Sequence, residues 1–268
     1  MKPIGGYTKC EVNVYTIVDS AIDVKSKKKQ IVWKFHKNGN PKSFQRFSTD
    51  GSFTIISYND KGKKSEEVSY TSNKRVELRS TYKYNSHGDL VQDVFNTSGK
   101  VKATIRQMAY LYDDSGRVMS STLLNPNGSV KSKVEFKYDA NGNLIEENGS
   151  HSFGSRRTFR YDSKNNKLEE IRFQNDSLIR YKLLYRYDEN SRITEEVLYN
   201  AKEAIDYKYT YSYDVKGNRV KKNIYNIRDW SVGATETMKY DALGNIIEMK
   251  MINPTTLKYM YLEFIYSK

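Results

Sequence analysis

Three kinds of side chain in this chain recur at spacings that could support chemistry. The first is a set of aspartates, Asp113, Asp139, Asp162, Asp188, Asp214 and Asp241, each directly after a tyrosine. Regularly placed carboxylates invite a general-acid or metal-ligand reading. Catalysis, however, needs unlike groups that converge, a nucleophile with a base or an acid with a base. A residue that returns at one place in every repeat solves the same local problem each time. Here that problem is bonding the backbone N–H groups of a tight turn. The second kind is histidine. His36, His87 and His151 lie in or beside turn segments of different repeats, where a solvated side chain is expected and a shared metal is not.

The alternating oxygens of Asp139-x-Asn141-x-Asn143 resemble a calcium loop in spacing, but the later bidentate glutamate is missing. No phosphate-binding loop, cysteine pair or His-Glu-x-x-His is present, so no cofactor, metal or catalytic residue is expected. The third kind is Lys and Arg interleaved with tyrosine, around Arg180, Lys182, Arg186, Lys208, Lys221 and Lys222. Basic groups beside exposed rings suit anions, sugars or bases. The plainer expectation is cross-strand pairing, with tyrosines on one face and Lys opposite Glu on the other.

The elements that carry these groups follow from a repeated phrase. It reads Tyr112-Asp113-Asp114-Ser115-Gly116-Arg117-Val118, then Tyr138-Asp139-Ala140-Asn141-Gly142-Asn143-Leu144, then Tyr240-Asp241-Ala242-Leu243-Gly244-Asn245-Ile246. Tyr213-Asp214-Val215-Lys216-Gly217-Asn218 has one more residue before its aliphatic Val220, and weaker copies start at Phe35, Tyr58, Tyr84, Tyr161 and Tyr187. With a last, truncated copy at Tyr266, the aromatics recur every 23 to 28 residues. A second punctuation falls between the phrases, at Thr49-Asp50-Gly51, Asn96-Thr97-Ser98-Gly99, Asn125-Pro126-Asn127-Gly128, Gln174-Asn175-Asp176 and Asn253-Pro254. Each period therefore holds two turns and two strands, each strand about 30 Å long.

Residues alternate along these strands as a half-buried sheet requires, in Tyr209-Thr210-Tyr211-Ser212-Tyr213, in Val134-Glu135-Phe136-Lys137-Tyr138 and in Ile31, Trp33 and Phe35. No stretch keeps a 3.6-residue period, so little helix is expected. The spacing predicts an all-β fold of tandem antiparallel β-hairpin repeats forming a long, coiled single-strip sheet, a spiral or open shell. Residues 1–29 would be an N-terminal strand or cap and 30–268 the repeat array. Its C-terminal edge is expected to be open, because the last copy stops where another hairpin would begin.

The phrase Tyr-Asp-x-x-Gly-Asn-Leu, followed by a second Gly turn, resembles the YD/RHS repeat over roughly residues 30–268, most closely between 110 and 250. The resemblance implies a β-strip of the kind found in small secreted or surface arrays of Bacteroidota-type bacteria. In the family's large toxins the strip encloses a cargo. This chain is far shorter and has no Asp-Pro-x-Gly, so a closed, self-cleaving cage is not expected. Phe35-His36-Lys37-Asn38-Gly39-Asn40 also resembles a MORN-type repeat.

Composition sets the remaining bounds. With 23 Tyr against 10 Phe in a chain only 37% hydrophobic, the sheet surfaces are half-wet rather than dry. The net charge of +13 favours anionic partners and also discourages edge-to-edge association. A single cysteine, Cys10, excludes an internal disulfide. No apolar run is long enough for a transmembrane span, and Met1-Lys2-Pro3-Ile4-Gly5-Gly6-Tyr7 contains no signal-peptide core. The expected function is a non-catalytic scaffold for protein contact, an accessory subunit of an envelope assembly exported to the cell surface or periplasm. The alternatives are a module binding an anionic glycan or other polyanion, and a relative of a toxin-delivery shell.

Overall fold

The β-branched and tyrosine-rich runs between the turn phrases all become strands. A computed structural model describes residues 3–18, 21–97, 104–149, 156–174, 177–253 and 258–268. His151 and parts of the turns at 96–99, 174–176 and 253–254 lie outside the described residues. Twenty strands follow one another and, among the described residues, no helix occurs. Among the described residues, no helix is long and apolar enough to cross a membrane.

The chain divides into two compact units. Unit 1 comprises Met1–Ile105, Asp214–Val220 and Thr235–Lys268. Its strands begin with β1 (Lys9–Val18), β2 (Ala21–Phe35), β3 (Pro41–Phe47), β4 (Phe53–Tyr58), β5 (Lys64–Tyr70), β6 (Val76–Tyr84) and β7 (Leu90–Thr97). Consecutive strands from β1 to β7 pair antiparallel, as hairpin connections dictate. At the other end of the sequence come β18 (Val232–Tyr240), β19 (Ile246–Asn253) and β20 (Lys258–Ser267), again antiparallel in order.

Unit 2 comprises Arg106–Tyr213 and Lys221–Ala234. It is built on β8 (Thr104–Tyr112), β9 (Val118–Leu124), β10 (Val130–Tyr138), β11 (Leu144–Gly149), β12 (Arg157–Tyr161), β13 (Lys167–Phe173), β14 (Ile179–Tyr187), β15 (Ile193–Asn200), β16 (Ile205–Tyr213) and β17 (Arg219–Tyr225). From β8 to β16 each strand pairs antiparallel with the next.

One expectation is overturned. An open strip, spiral or open shell would leave β1 and β20 as edges. Instead β1 pairs with β20 from Lys9↔Ser267 to Thr16↔Met260, while also pairing with β2. The 20-stranded sheet is thus a closed antiparallel barrel, and the C-terminal edge expected to be open is occupied. The physical reason lies at this seam, where unpaired backbone and apolar side chains are covered together. Cys10, Val12 and Phe35 are buried there, with Ile31, Trp33, Leu262, Phe264 and Tyr266 packed against them.

Candidate functional site

Each Tyr-Asp phrase builds the same device, and Tyr138–Asn143 shows its parts. Asp139 N–H donates to the Asn143 carbonyl at 2.9 Å, and Gly142 N–H donates to the Asp139 carbonyl at 3.0 Å. Gly142 sits at φ 84°, where an L side chain would be strained. The Asp139 carboxylate closes the loop: Oδ1 accepts from the N–H of Asn141 (2.9 Å) and Asn143 (2.8 Å), and Oδ2 accepts from Asn143 Nδ2 (3.0 Å). The turn adds one residue to its strand, so the register shifts between Lys137 and Tyr138.

Asp162, Asp214 and Asp241 make the same bonds through Asn166, Asn218 and Asn245. Where the phrase has arginine instead, the guanidinium takes the amide's place, with Arg117 Nε 2.7 Å from Asp113 Oδ2 and Arg192 Nε 2.6 Å from Asp188 Oδ2. These same arginines lie over the ring of a neighbouring repeat's tyrosine, Arg117 over Tyr138 and Arg192 over Tyr213. Bonds from the Asn143, Asn166 and Asn218 amides hold Asp139, Asp162 and Asp214 below the usual carboxylate range. For Asp113 and Asp188 the main cause is the backbone N–H of Arg117 and of Arg192. Gly116, Gly217 and Gly244 fill the left-handed position in their turns, whereas Asn165 and Ser191 fill it after Tyr161 and Tyr187.

The phrase tyrosines do a second job. Tyr138 Oη donates to the Val118 carbonyl (2.9 Å), Tyr161 to Leu144 (2.9 Å), Tyr187 to Lys167 (2.8 Å), Tyr213 to Ile193 (2.8 Å) and Tyr240 to Arg219 (2.7 Å). Each acceptor is at or next to the start of the strand after the previous Asp turn, so successive turns are tied together. Turn-to-turn side-chain bonds add to this, Asn143 Nδ2 to Asn165 Oδ1 at 2.8 Å and Asn166 Nδ2 to Ser191 Oγ at 3.1 Å.

Two rows of glutamates extend the pattern. They fall eight and nine residues after Tyr58, Tyr138, Tyr161 and Tyr187, a spacing visible in the sequence that the turn phrase alone does not reveal. Adjacent residues of a strand face opposite sides, so the two rows serve different neighbours. The first row makes cross-strand ion pairs with exposed bases, Lys137–Glu146 (2.8 Å), Arg160–Glu169 (3.5 Å) and Arg186–Glu195 (3.4 Å). The second row accepts from tyrosines, Tyr181 Oη to Glu170 (2.9 Å) and Tyr207 and Tyr211 Oη to Glu196 (3.0 and 3.1 Å). Burial alone would raise the Glu170 pKa, but bonds from Lys167 and Tyr181, with Arg157 nearby, hold it below the usual range. The tyrosine face is therefore a polar network rather than a bare apolar surface.

The six basic candidates do not form one cluster. Arg186 and Lys208 share the Glu195 carboxylate. Lys182 lies over the Tyr199 ring and Lys222 over the Tyr209 ring, at 5.9 and 3.9 Å from the centroids. Arg180 and Lys221 are exposed. Lys221-Lys222 occupies the offset that carries a glutamate pair after Tyr187, which reverses the local charge. His36 takes the aspartate's backbone role in its turn, its N–H donating to the Asn40 carbonyl. Among the described residues, no group of three or more His, Cys, Asp or Glu could hold a metal ion.

No family model matches the chain, and no curated protein does. Among solved structures it is similar to a TcdB2–TccC3–Cdc42 complex, at 14% identity over 88% of this chain and 15% of that one, with a TM-score of 0.32. It is also similar to a porin-like protein from Bacteroides uniformis, at 9% identity over 100% of both chains and a TM-score of 0.39. A third similarity is to TarM of S. aureus, at 21% identity over 50% of this chain and 21% of that one, with a TM-score of 0.20. The chain spans 15% of the length of the TcdB2–TccC3–Cdc42 chain it matches.

Proposed function

We propose that this chain is a non-catalytic repeat scaffold that contacts other proteins through the tips of its hairpin turns. The recurring polar groups suited to chemistry are engaged within the repeat: aspartates with turn N–H groups, phrase tyrosines with carbonyls, glutamates with Lys, Arg and Tyr. The observation that carries the reading is where large apolar side chains stay exposed. In unit 1 they include Val215 and Leu243 on Asp-turn tips, and in unit 2 Ile227 and Trp230 on the turn between β17 and β18. Trp230 is 49% exposed and held at φ 60°. A bulky residue kept in that conformation at a wet tip supports a contact role.

The partner is proposed to be a subunit of an envelope assembly and the chain to be exported. A photo-crosslinking residue placed at Val215 or Ile227 of the full chain should capture a defined protein in the surface or periplasmic fraction. Capture should fall in an Ile227→Ser, Trp230→Ser variant. Recovery of the chain in the cytoplasm with no adduct at either tip would remove the reading.

The charge reversal at Lys221-Lys222 favours a second reading, in which this strand binds a polyanion. Retention on heparin-like resin at low salt, lost in a Lys221→Glu, Lys222→Glu variant, is its expected outcome.

A further inference from the structure

A hollow of about 300 Å³ opens beside the β14–β15 ladder, within unit 2. Ile179, Leu184 and Tyr199 supply apolar wall, Asn200 adds a polar edge, and Lys182 and Glu203 are the charged residues lining it. Register explains the wall: Lys182 is the partner of Tyr199 and Leu184 the partner of Val197, so these side chains share one face.

The next repeat shows what is unusual here. Lys208 lies five residues before Tyr213, just as Lys182 lies five before Tyr187, and it too sits over an aromatic ring, that of Tyr225. Lys208 is neutralised by Glu195 at 2.6 Å. The glutamate equivalent to Glu195 for Lys182 is Glu169, which pairs with Arg160 as Glu195 does with Arg186 but, among the described residues, makes no ion pair with Lys182. Among the described residues Lys182 has its ring contact and no ion pair. Three residues before the phrase tyrosine, Thr210 in the next repeat is replaced by Leu184, which makes the wall apolar. On the rim, Glu203 occupies the left-handed turn position at φ 60°, where glycine would sit without strain, and it too has no ion pair among the described residues. A cation and an anion that leave each other free, beside an aromatic and two aliphatic side chains, match a ligand with both charges and an apolar group.

We propose that this hollow binds a small apolar zwitterion, of the class of aromatic or branched-chain α-amino acids. Lys182 takes the carboxylate, Glu203 the ammonium, and Ile179, Leu184 and Tyr199 the side chain.

The test is titration of the full chain with L-phenylalanine and L-leucine, followed by ligand-observed NMR and calorimetry. Phenylacetate and phenethylamine serve as arms lacking one charge each. Saturable binding of phenylalanine is expected, weakened about fivefold or more by Lys182→Met, by Glu203→Gln, and by removal of either ligand charge. Lys208→Met should bind as the parent does, and circular dichroism should show all variants folded. No saturable binding of either amino acid at tens of millimolar, or unchanged affinity in folded Lys182→Met, overturns the site. Phenylacetate binding as tightly as phenylalanine, with Glu203→Gln unaffected, overturns the zwitterion assignment.

Discussion

The hydroxyl of Tyr213 donates a 2.8 Å hydrogen bond to the main-chain carbonyl of Ile193, twenty residues earlier. Tyr84 to Lys64, Tyr187 to Lys167 and Tyr266 to Ile246 repeat the contact at the same sequence separation. The ring fills sheet surface while the hydroxyl satisfies a carbonyl at the start of the preceding strand. Phenylalanine can do only the first. Tyr213→Phe and Tyr187→Phe should each lower unfolding stability by about 1 kcal/mol, read as a shift in the urea midpoint without a change in slope.

Left-handed turn positions give a paired prediction. Gly142 is at φ 84°, and Gly142→Ala should cost about 1–2 kcal/mol. Lys74 and Ser191 hold the equivalent position at φ 60°. Lys74→Gly and Ser191→Gly relieve that strain but loosen the unfolded chain, leaving a net gain of about 0.5 kcal/mol. Thermal melts of the three variants check both signs.

Acid should weaken the turns. Asp139, Asp162 and Asp214 have folded-state pKa values lowered by bonds from Asn143, Asn166 and Asn218. A carboxyl with a lowered folded pKa contributes stability that is fully present above its unfolded value, about 3.9, and is lost as pH falls through the folded value. Denaturation midpoints should therefore hold near neutrality and drop below about pH 4. An Asp139→Asn, Asp162→Asn, Asp214→Asn variant should show a flatter acid limb.

The Cys10 thiol is fully buried, and burial pushes its pKa up to about 11. It should be inert to thiol reagents at pH 8 in the folded protein and react at once in denaturant.

Much of this architecture is readable from sequence because it is local. Tyr138, Asp139, Gly142 and Asn143 solve one turn within six residues, and the solution recurs every 23 to 28 residues. The partners of Glu146 and Glu195 follow once strand register is known. Closure of the sheet is different in kind. Cys10 and Tyr266 are direct partners although 256 residues separate them (266 − 10), and β1 carries no copy of the phrase. Its pairing is set by burial of Cys10 and Val12 beside Leu262 and Phe264, which no local pattern encodes. The hollow beside Lys182 was hidden for a related reason, since it depends on Glu169 pairing across the sheet with Arg160 and not also with Lys182, whereas Glu195 takes both Arg186 and Lys208. The left-handed Lys74, Ser191, Glu203 and Trp230 also escape a search for glycine.

The pairing of β1 with β20 is the claim on which the closed sheet stands, and the register offers a direct probe. Cys10 lies opposite Tyr266, so the single substitution Tyr266→Cys puts two thiols at cross-strand partners, within the geometry a disulfide needs. After oxidative refolding the monomer should lose both free thiols and two mass units while showing no dimer. Two free thiols in the monomer, or disulfide only between chains, would contradict a sheet whose first and last strands are neighbours.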